Sequence, residues 1–598
     1  MKKLRPLTHQ TQVWRTRSIM LVIYFGFLGL MVRLFYWQVI QSGSLKAEAD
    51  QQYERQITQS GARGKIYSNQ GYLMVGNKLV YRLFAHPNLI ESDHDQVAQT
   101  LTDIIIKDWS KYQEATGSAQ TELATQLQTQ IKDRLHKDAN WVSLATNLSQ
   151  ETKQNIESLS SPYLGFDEYL TRDYSEASQA AHLLGFVGKD SAGADRGYFG
   201  LEGALDQELK PRSQEKTILT DAFGLELFSN SSELELDGRD VVTTIRRDIQ
   251  NLIETELATG IEQYGAQAGE VIVLEPKTGS ILGLAALPSY DPSQFFEYPP
   301  DTYKNPSLSN QYEPGSTFKV LTVASGIDAG VIQADTVCTQ CAGPRQYGKY
   351  TIKTWNDQYH PNSTITEGLV RSDNIAMIFV VEALGAEKFQ AYLKKFGIGQ
   401  KLHLDLEEDQ DTPFPSKWGP VELATTSFGQ GITLNSLQLV RAISAIANGG
   451  KMMRTRIIQE VRDPISKEII TIEPQVESVP ISSQTARTVT EMMVKAAARG
   501  EELWGSQGGH LVAGKTGTAQ VATKGGYDES ATIATIIAFA PADDPQFIMF
   551  VKLINPTYSQ WGAETAAPLW HKIANKLYYL LEISPTGVEA GTDQASPQ

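Results

Sequence analysis

Cysteine is nearly absent: Cys338 and Cys341, spaced as C-x-x-C, are the two in 598 residues. Two thiols exclude the multi-bridge framework of a small secreted domain. Zinc would ask for more ligands than two sulfurs and His360, and a redox pair would sit beside a βαβ pattern that this stretch lacks. A local disulfide and two plain thiols both stay open, neither with a catalytic role. Positive charge is short as well. Lys and Arg number 53 against 69 Asp and Glu, a formal net charge of −16, which excludes a nucleic-acid or general polyanion binder. No repeat of 20–50 residues recurs, so nothing points to a solenoid. The length excludes a single compact core and asks for at least two domains.

Acid is missing from residues 1–17, where Lys2, Lys3, Arg5, Arg15 and Arg17 give +5 and leave −21 for the rest of the −16 total. Directly after them, Ile19–Ile40 reads IMLVIYFGFLGLMVRLFYWQVI with Arg33 as its one charge. About 20 such residues cross a bilayer as helix, and the basic flank predicts a cytoplasmic N-terminus with everything after about residue 41 outside. The competing reading is a cleaved signal peptide ending near Ala47-Glu48-Ala49. Its apolar core would be shorter and its flank small, whereas Tyr36-Trp37 is bulky. Arg33, near the outer end, reads as snorkelling to the headgroups.

Beyond the span, residues 41–60 read as a polar helical stalk. Residues 61–235 mix short strand-like runs such as KLVYRLFAHP with helices at Gln96–Asp108 and Thr121–His136. DVVTTIRRDIQNLIETEL reads as a strand and an amphipathic helix, and GEVIVLEPKTGSILGLAAL as a hairpin. Residues from about 300 to 505 are mostly helical in pattern, 510–556 give strands, and Ala567–Leu581 a last helix. A helical block between an early hairpin and late strands predicts an antiparallel sheet with helices around it.

Three short motifs carry chemistry. Ser316-Thr317-Phe318-Lys319 opens a helix, and its spacing puts Ser316 and Lys319 on one face. A serine becomes a nucleophile when a base takes its proton, and a lysine is such a base once burial or other cations depress its pKa. The same spacing in Ser213-Gln214-Glu215-Lys216 reads as a solvated loop. Ser372-Asp373-Asn374 alone reads as a turn or helix cap; functionally it offers a relay hydroxyl and an amide for a peptide carbonyl. Lys515-Thr516-Gly517-Thr518 lies in a strand, where Gly517 leaves room for a substrate backbone along the edge. Lys515, Thr516 and Thr518 offer charge and hydroxyls to a terminal carboxylate. Lys277-Thr278-Gly279 duplicates the triplet in a turn ahead of Ser316 and reads as structural. The ordered set S-x-x-K, S-D-N and K-T-G points to an active-site serine acyltransferase.

On these residues the chain resembles a class B penicillin-binding protein, a monofunctional peptidoglycan D,D-transpeptidase, over nearly its whole length. Arg63-Gly64-Lys65-Ile66 with Gly71, Arg172-Asp173-Tyr174 with AAHLLGFVG, and Gly200-Leu201-Glu202 resemble the family's pedestal motifs. Ser68 and Asn69 stand where Asp and Arg are usual, which questions an ion pair at that corner. Ser175 replaces a proline, and Asn435-Ser436 replaces Thr-Pro ahead of a helix that either can cap. The resemblance implies an α+β multidomain fold: cytoplasmic tail 1–17, transmembrane helix 18–40, elongated α+β pedestal (dimerisation-type) domain 41–235, and a serine β-lactamase-like transpeptidase domain 236–583 with an antiparallel sheet, flanking helices and a helical subdomain. Residues 584–598 read as a disordered tail.

It also implies roles. Ser316 attacks the penultimate D-alanine of a stem pentapeptide ending in D-Ala-D-Ala, and Lys319 is its general base. Ser372 with Lys515 protonates the leaving D-alanine, and Asn374 holds the donor. The N–H groups of Ser316 and Thr518 form the oxyanion hole, while Lys515, Thr516 and Thr518, beside Gly517, bind the carboxylate. β-Lactams acylate the same serine, and no metal or cofactor is implied. The expected partner is a SEDS-type lipid-linked glycan polymerase, and the Glu-Pro-Gly-Ser-Thr lead-in resembles the division-type, FtsI-like group more than the elongation type. Competing readings with the same acylation chemistry are a D,D-carboxypeptidase, a membrane-bound serine β-lactamase and a β-lactam sensor. No E-D-R-x-F-type glycosyltransferase motif marks a bifunctional relative.

Overall fold

The computed structural model describes residues 9–46, 54–91, 93–109, 112–113, 115–176, 179–219, 236–504, 509–523 and 526–585. They divide into two units, Met1–Gly61 with Pro211–Asp237, and Ala62–Lys210 with Gly238–Gln598. The tail expected at 584–598 lies outside the described residues beyond Pro585.

In the first unit α1 (His9–Phe35) passes into a π-helical turn, Tyr36–Ile40. Its large apolar side chains are exposed all along its length. The helix Val13–Ile40 is long and apolar enough to cross a membrane, where a helix satisfies its own backbone groups. The helical stalk expected over 41–60 is corrected: residues 42–46 are helical, but β1 (Glu54–Ser60) pairs antiparallel with Ser213–Leu219. Its partner comes from the far side of the pedestal segment, so no local pattern announces the pairing. Ser213-Gln214-Glu215-Lys216 therefore lies in a strand and not in a loop.

The second unit begins with β2 (Ile66–Tyr67), β3 (Leu73–Ala85), α2 (His94–Ile105), α3 (Ser118–Leu135), β4 (Val142–Leu148) and β5 (Leu164–Tyr174). β3 pairs with both β4 and β5, and α2 and α3 bury Leu101, Ile105, Leu127 and Ile131 against Leu83 and Leu144. The three pedestal motifs meet on one carboxylate. Glu202, fully buried, accepts from Arg63 Nε at 2.7 Å and from Arg172 Nε at 2.6 Å, and Arg63 also reaches Asp206 at 2.7 Å. At the Ser68-Asn69 corner, Ser68 Oγ accepts from the Tyr72 N–H. Ser175 donates its N–H to Met74 O at 3.1 Å, which proline cannot do.

Next come β6 (Asp240–Thr243), α4 (Arg247–Tyr264), β7 (Ala268–Glu275) and β8 (Ser280–Leu287). The hairpin turn holds Lys277-Thr278-Gly279, with Gly279 at φ +75°. The chain then builds α5 (Lys319–Asp328), α6 (Asn374–Leu384), α7 (Ser436–Ala447), β9 (Ile458–Arg462), β10 (Ile469–Thr471) and α8 (Ser483–Trp504). It ends with β11 (Ala513–Thr523), β12 (Gly526–Ala540), β13 (Phe547–Ile554) and α9 (Ala566–Leu580). β9 and β10 interrupt the expected helical stretch. They join the pedestal sheet in the order β10-β9-β6-β2-β3-β4, with β5 on β3. Cys338 and Cys341 form a disulfide, both fully buried.

The second sheet is antiparallel in the order β8-β7-β13-β12-β11. Alternate residues serve two cores. Val271, Val273, Met549 and Val551 pack with Ile253, Leu257 and Trp570 of α4 and α9. Ile272, Leu274, Ile548 and Phe550 face Val320, Val323, Ile378 and Leu437 of α5, α6 and α7. Burial on both faces explains why these strands read as unbroken apolar runs. Asn435 caps α7 in a capping box with Gln438. β11 is left at the sheet edge, beside the start of α5.

Candidate active site

Pro314 and Gly315 shape the approach to α5. Gly315 takes φ +57°, a conformation that favours glycine, and its N–H donates to Gly429 O at 3.0 Å. The 3-10 turn Gly315–Phe318 then delivers Ser316, half-buried, one turn ahead of Lys319. A Cβ at Gly315 would lie 3.3 Å from Thr518 O, so the turn rests against β11. The space beside the Gly517 Cα is likewise taken: a Cβ there would meet Thr535 Oγ1 at 2.6 Å and Thr317 Cγ2 at 3.0 Å. That glycine makes room for the turn carrying Ser316, and β11 stands at the edge of its sheet.

Ser372 sits between α6 and the short helix Ile365–Val370, at φ +60°. A serine in the left-handed region costs about 1–3 kcal/mol and persists where its surroundings hold it there. Lys319 does so, donating from Nζ to Ser372 O at 2.6 Å and to Ser372 Oγ at 3.1 Å. Ser372 Oγ in turn donates to Ser316 Oγ at 2.9 Å. The structure thus joins Lys319 to Ser316 through Ser372. Asp373 is the N-cap of α6, accepting from Ile375 N and Ala376 N, so the bland reading of the triplet holds for its middle residue. Asn374 donates from Nδ2 to Lys353 O at 2.9 Å and stays half-buried.

The electrostatics favour a neutral base. Lys319 is 1% exposed, and burial, then the charge of Lys515, push its ammonium well below the usual lysine range against a weaker pull from Asp373. Lys515 is pushed down to about 8 by burial and by Arg499, and its Nζ donates to Thr516 O at 2.9 Å. Thr516 and Thr518 are half-buried on the same strand, and Thr518 Oγ1 accepts from the Gly562 N–H at 3.0 Å. That leaves the Thr518 hydroxyl proton to be given elsewhere. A cavity of about 850 Å³ adjoins Asp373, lined among others by Trp355, Arg371, Lys495 and Arg499. Among the described residues no cluster of His, Cys, Asp and Glu has a metal-binding arrangement. Sequence reasoning did not find Trp355, Trp561, Gly562 or Arg499, which no motif marks.

A buried lysine, two serines in hydrogen-bond contact with it or each other, and a cationic strand edge are the parts of a serine acyltransferase. The family model described as penicillin binding protein transpeptidase domain matches residues 269–577. That for the penicillin-binding protein dimerisation domain matches residues 58–243. The chain belongs to the class B penicillin-binding proteins. It is similar to stage V sporulation protein D of Bacillus subtilis, 30% identical over 563 residues that cover 92% of this chain and 84% of that protein. It is also similar to the peptidoglycan D,D-transpeptidase FtsI of Escherichia coli, 25% identical across 97% of this chain and 94% of that one. The crystal structure of penicillin binding protein 2X from Streptococcus thermophilus shares the fold of this family member, with a TM-score of 0.71 at 23% identity, covering 88% of this chain and 80% of that one.

Proposed function

We propose that this chain is a peptidoglycan D,D-transpeptidase that crosslinks stem peptides through a Ser316 acyl-enzyme and is inhibited by β-lactams acting on the same serine. The observation that carries the reading is the hydrogen-bonded line from Lys319 Nζ through Ser372 Oγ to Ser316 Oγ. With Lys319 neutral, the Ser316 proton passes through the rotatable Ser372 hydroxyl to Lys319 as Oγ adds to the penultimate D-alanine carbonyl. N–H groups of Ser316 and Thr518 face the developing oxyanion, and Lys515, Thr516 and Thr518 take the terminal carboxylate. The C–N bond breaks, the proton returns to the departing D-alanine, and Asn374 steadies the donor peptide. An amine from a neighbouring stem then displaces Ser316.

The five basic residues of the acid-free stretch 1–17 favour a cytoplasmic N-terminus, with α1 as a single-pass anchor in the cytoplasmic membrane and the catalytic domain outside. The pedestal and α1 would meet a SEDS-type lipid-linked glycan polymerase. A division role is favoured because relatives include proteins named for sporulation stage V and as FtsI. The test supplies the full chain with polymerised glycan bearing pentapeptide stems. Crosslinked dimers should form with one D-alanine released per link and disappear with penicillin. D-alanine release without dimers would make the protein a carboxypeptidase.

A further inference from the structure

A transpeptidase must keep its Ser316 ester from water until an amine arrives. Resting on the transpeptidase reading, we propose that Trp355 and Trp561 form an aromatic clasp across the Ser316 groove that restricts water and thereby sets the ratio of aminolysis to hydrolysis.

The two rings come from opposite walls. Trp355 donates its indole N–H to Arg371 O at 3.3 Å, directly before Ser372. The Asn374 amide holds the same loop through Lys353 O at 2.9 Å. Trp561 precedes Gly562, whose N–H is bound to Thr518 Oγ1 and whose Cα approaches β11 so closely that a Cβ would stand 2.4 Å from Gly517 O. From these anchors the rings meet edge to face, centroids 5.2 Å apart. Trp355 is 56% exposed and Trp561 36%, so neither fills a core. Their contact joins the serine-loop wall to the carboxylate-binding strand. Trp355 also lines the cavity beside Asp373, so the clasp stands between that cavity and β11.

Two outcomes compete at the ester. In aminolysis the amine nitrogen adds to the carbonyl carbon, the bond to Ser316 Oγ breaks, and the proton lost by nitrogen passes through Ser372 to Oγ, leaving an amide. In hydrolysis water makes the same attack, and a carboxylic acid and the free hydroxyl result. The Trp355 N–H is already given to Arg371, and the faces of the two rings give the groove an apolar lining. It gives water few partners, while an incoming peptide can displace or stack on the rings.

The test uses the full chain, a D-alanyl thioester as donor and D-alanine as acceptor amine, and measures amide against acid product. Trp355→Ala and Trp561→Ala are expected to lower that ratio about tenfold and to shorten the benzylpenicillin acyl-enzyme lifetime to match. Phe at either position should hold the ratio within about threefold of the parent. An unchanged ratio in both alanine variants overturns the clasp, as does a Phe variant as impaired as Ala. A parent protein that never acylates overturns the transpeptidase reading and the clasp with it, whereas acylation with an unchanged ratio overturns the clasp alone.

Discussion

Gly562→Ala should cripple acylation without touching any group that does chemistry. A Cβ at 562 would lie 2.4 Å from Gly517 O and 2.6 Å from Thr535 O. Both are backbone atoms of paired strands, β11 and β12, and cannot swing away like a side-chain tip. An ordinary C···O contact is about 3.3 Å, so the loop or the strand must move by roughly 0.9 Å. That motion would stretch the 3.0 Å bond from the Gly562 N–H to Thr518 Oγ1 and displace Thr518 relative to Ser316. A misplacement of about 1 Å costs on the order of 100-fold in rate, while overpacking at one position costs about 1–3 kcal/mol of stability. The assay is stopped-flow acylation by a fluorescent penicillin, with urea unfolding of the same samples. Acylation within about threefold of the parent would refute the claim that β11 is seated by the Gly562 contact.

The rate of acylation should be bell-shaped in pH. It rises as Lys319 loses its proton, below the usual lysine range, because only the neutral amine accepts one. It falls through about 8 as Lys515 loses the charge that holds the substrate carboxylate. Lys515→Arg should remove the alkaline limb of kcat/KM, and a limb still centred there would assign it to another group. Ser372→Ala should slow acylation by about 10²–10⁴-fold; a loss under about tenfold would show Lys319 acting without the relay. Glu202→Ala leaves Arg172 and Arg63 without their shared buried carboxylate. Arg63 keeps Asp206, so the cost should fall near the low end of about 3–5 kcal/mol, read as a lower urea midpoint at unchanged m.

The site was legible where chemistry lies in short spacing and hidden where it depends on contact between distant segments. Ser316 and Lys319 share a helical turn, so their proximity follows from sequence alone. Ser372-Asp373-Asn374 was ambiguous because it is two things at once: Asp373 caps α6, and Ser372 Oγ hydrogen-bonds Ser316 Oγ. The β1 ladder and the β9–β10 addition to the pedestal sheet pair with segments far along the chain, which local periodicity does not encode. Gly517 was legible as a glycine needed on a strand, but the reason for it, Thr535 Oγ1 and the Thr317 methyl packed against it, needs the tertiary structure. Trp355 and Trp561 look like any exposed aromatic residues until the fold brings them into contact.

Whether Ser316 is the acylated nucleophile is read by mass spectrometry of the protein after brief exposure to benzylpenicillin. One adduct per chain is expected, on the peptide containing Ser316, absent from Ser316→Ala while that variant keeps its unfolding midpoint. An adduct on any other residue, or labelling that survives Ser316→Ala, would contradict it.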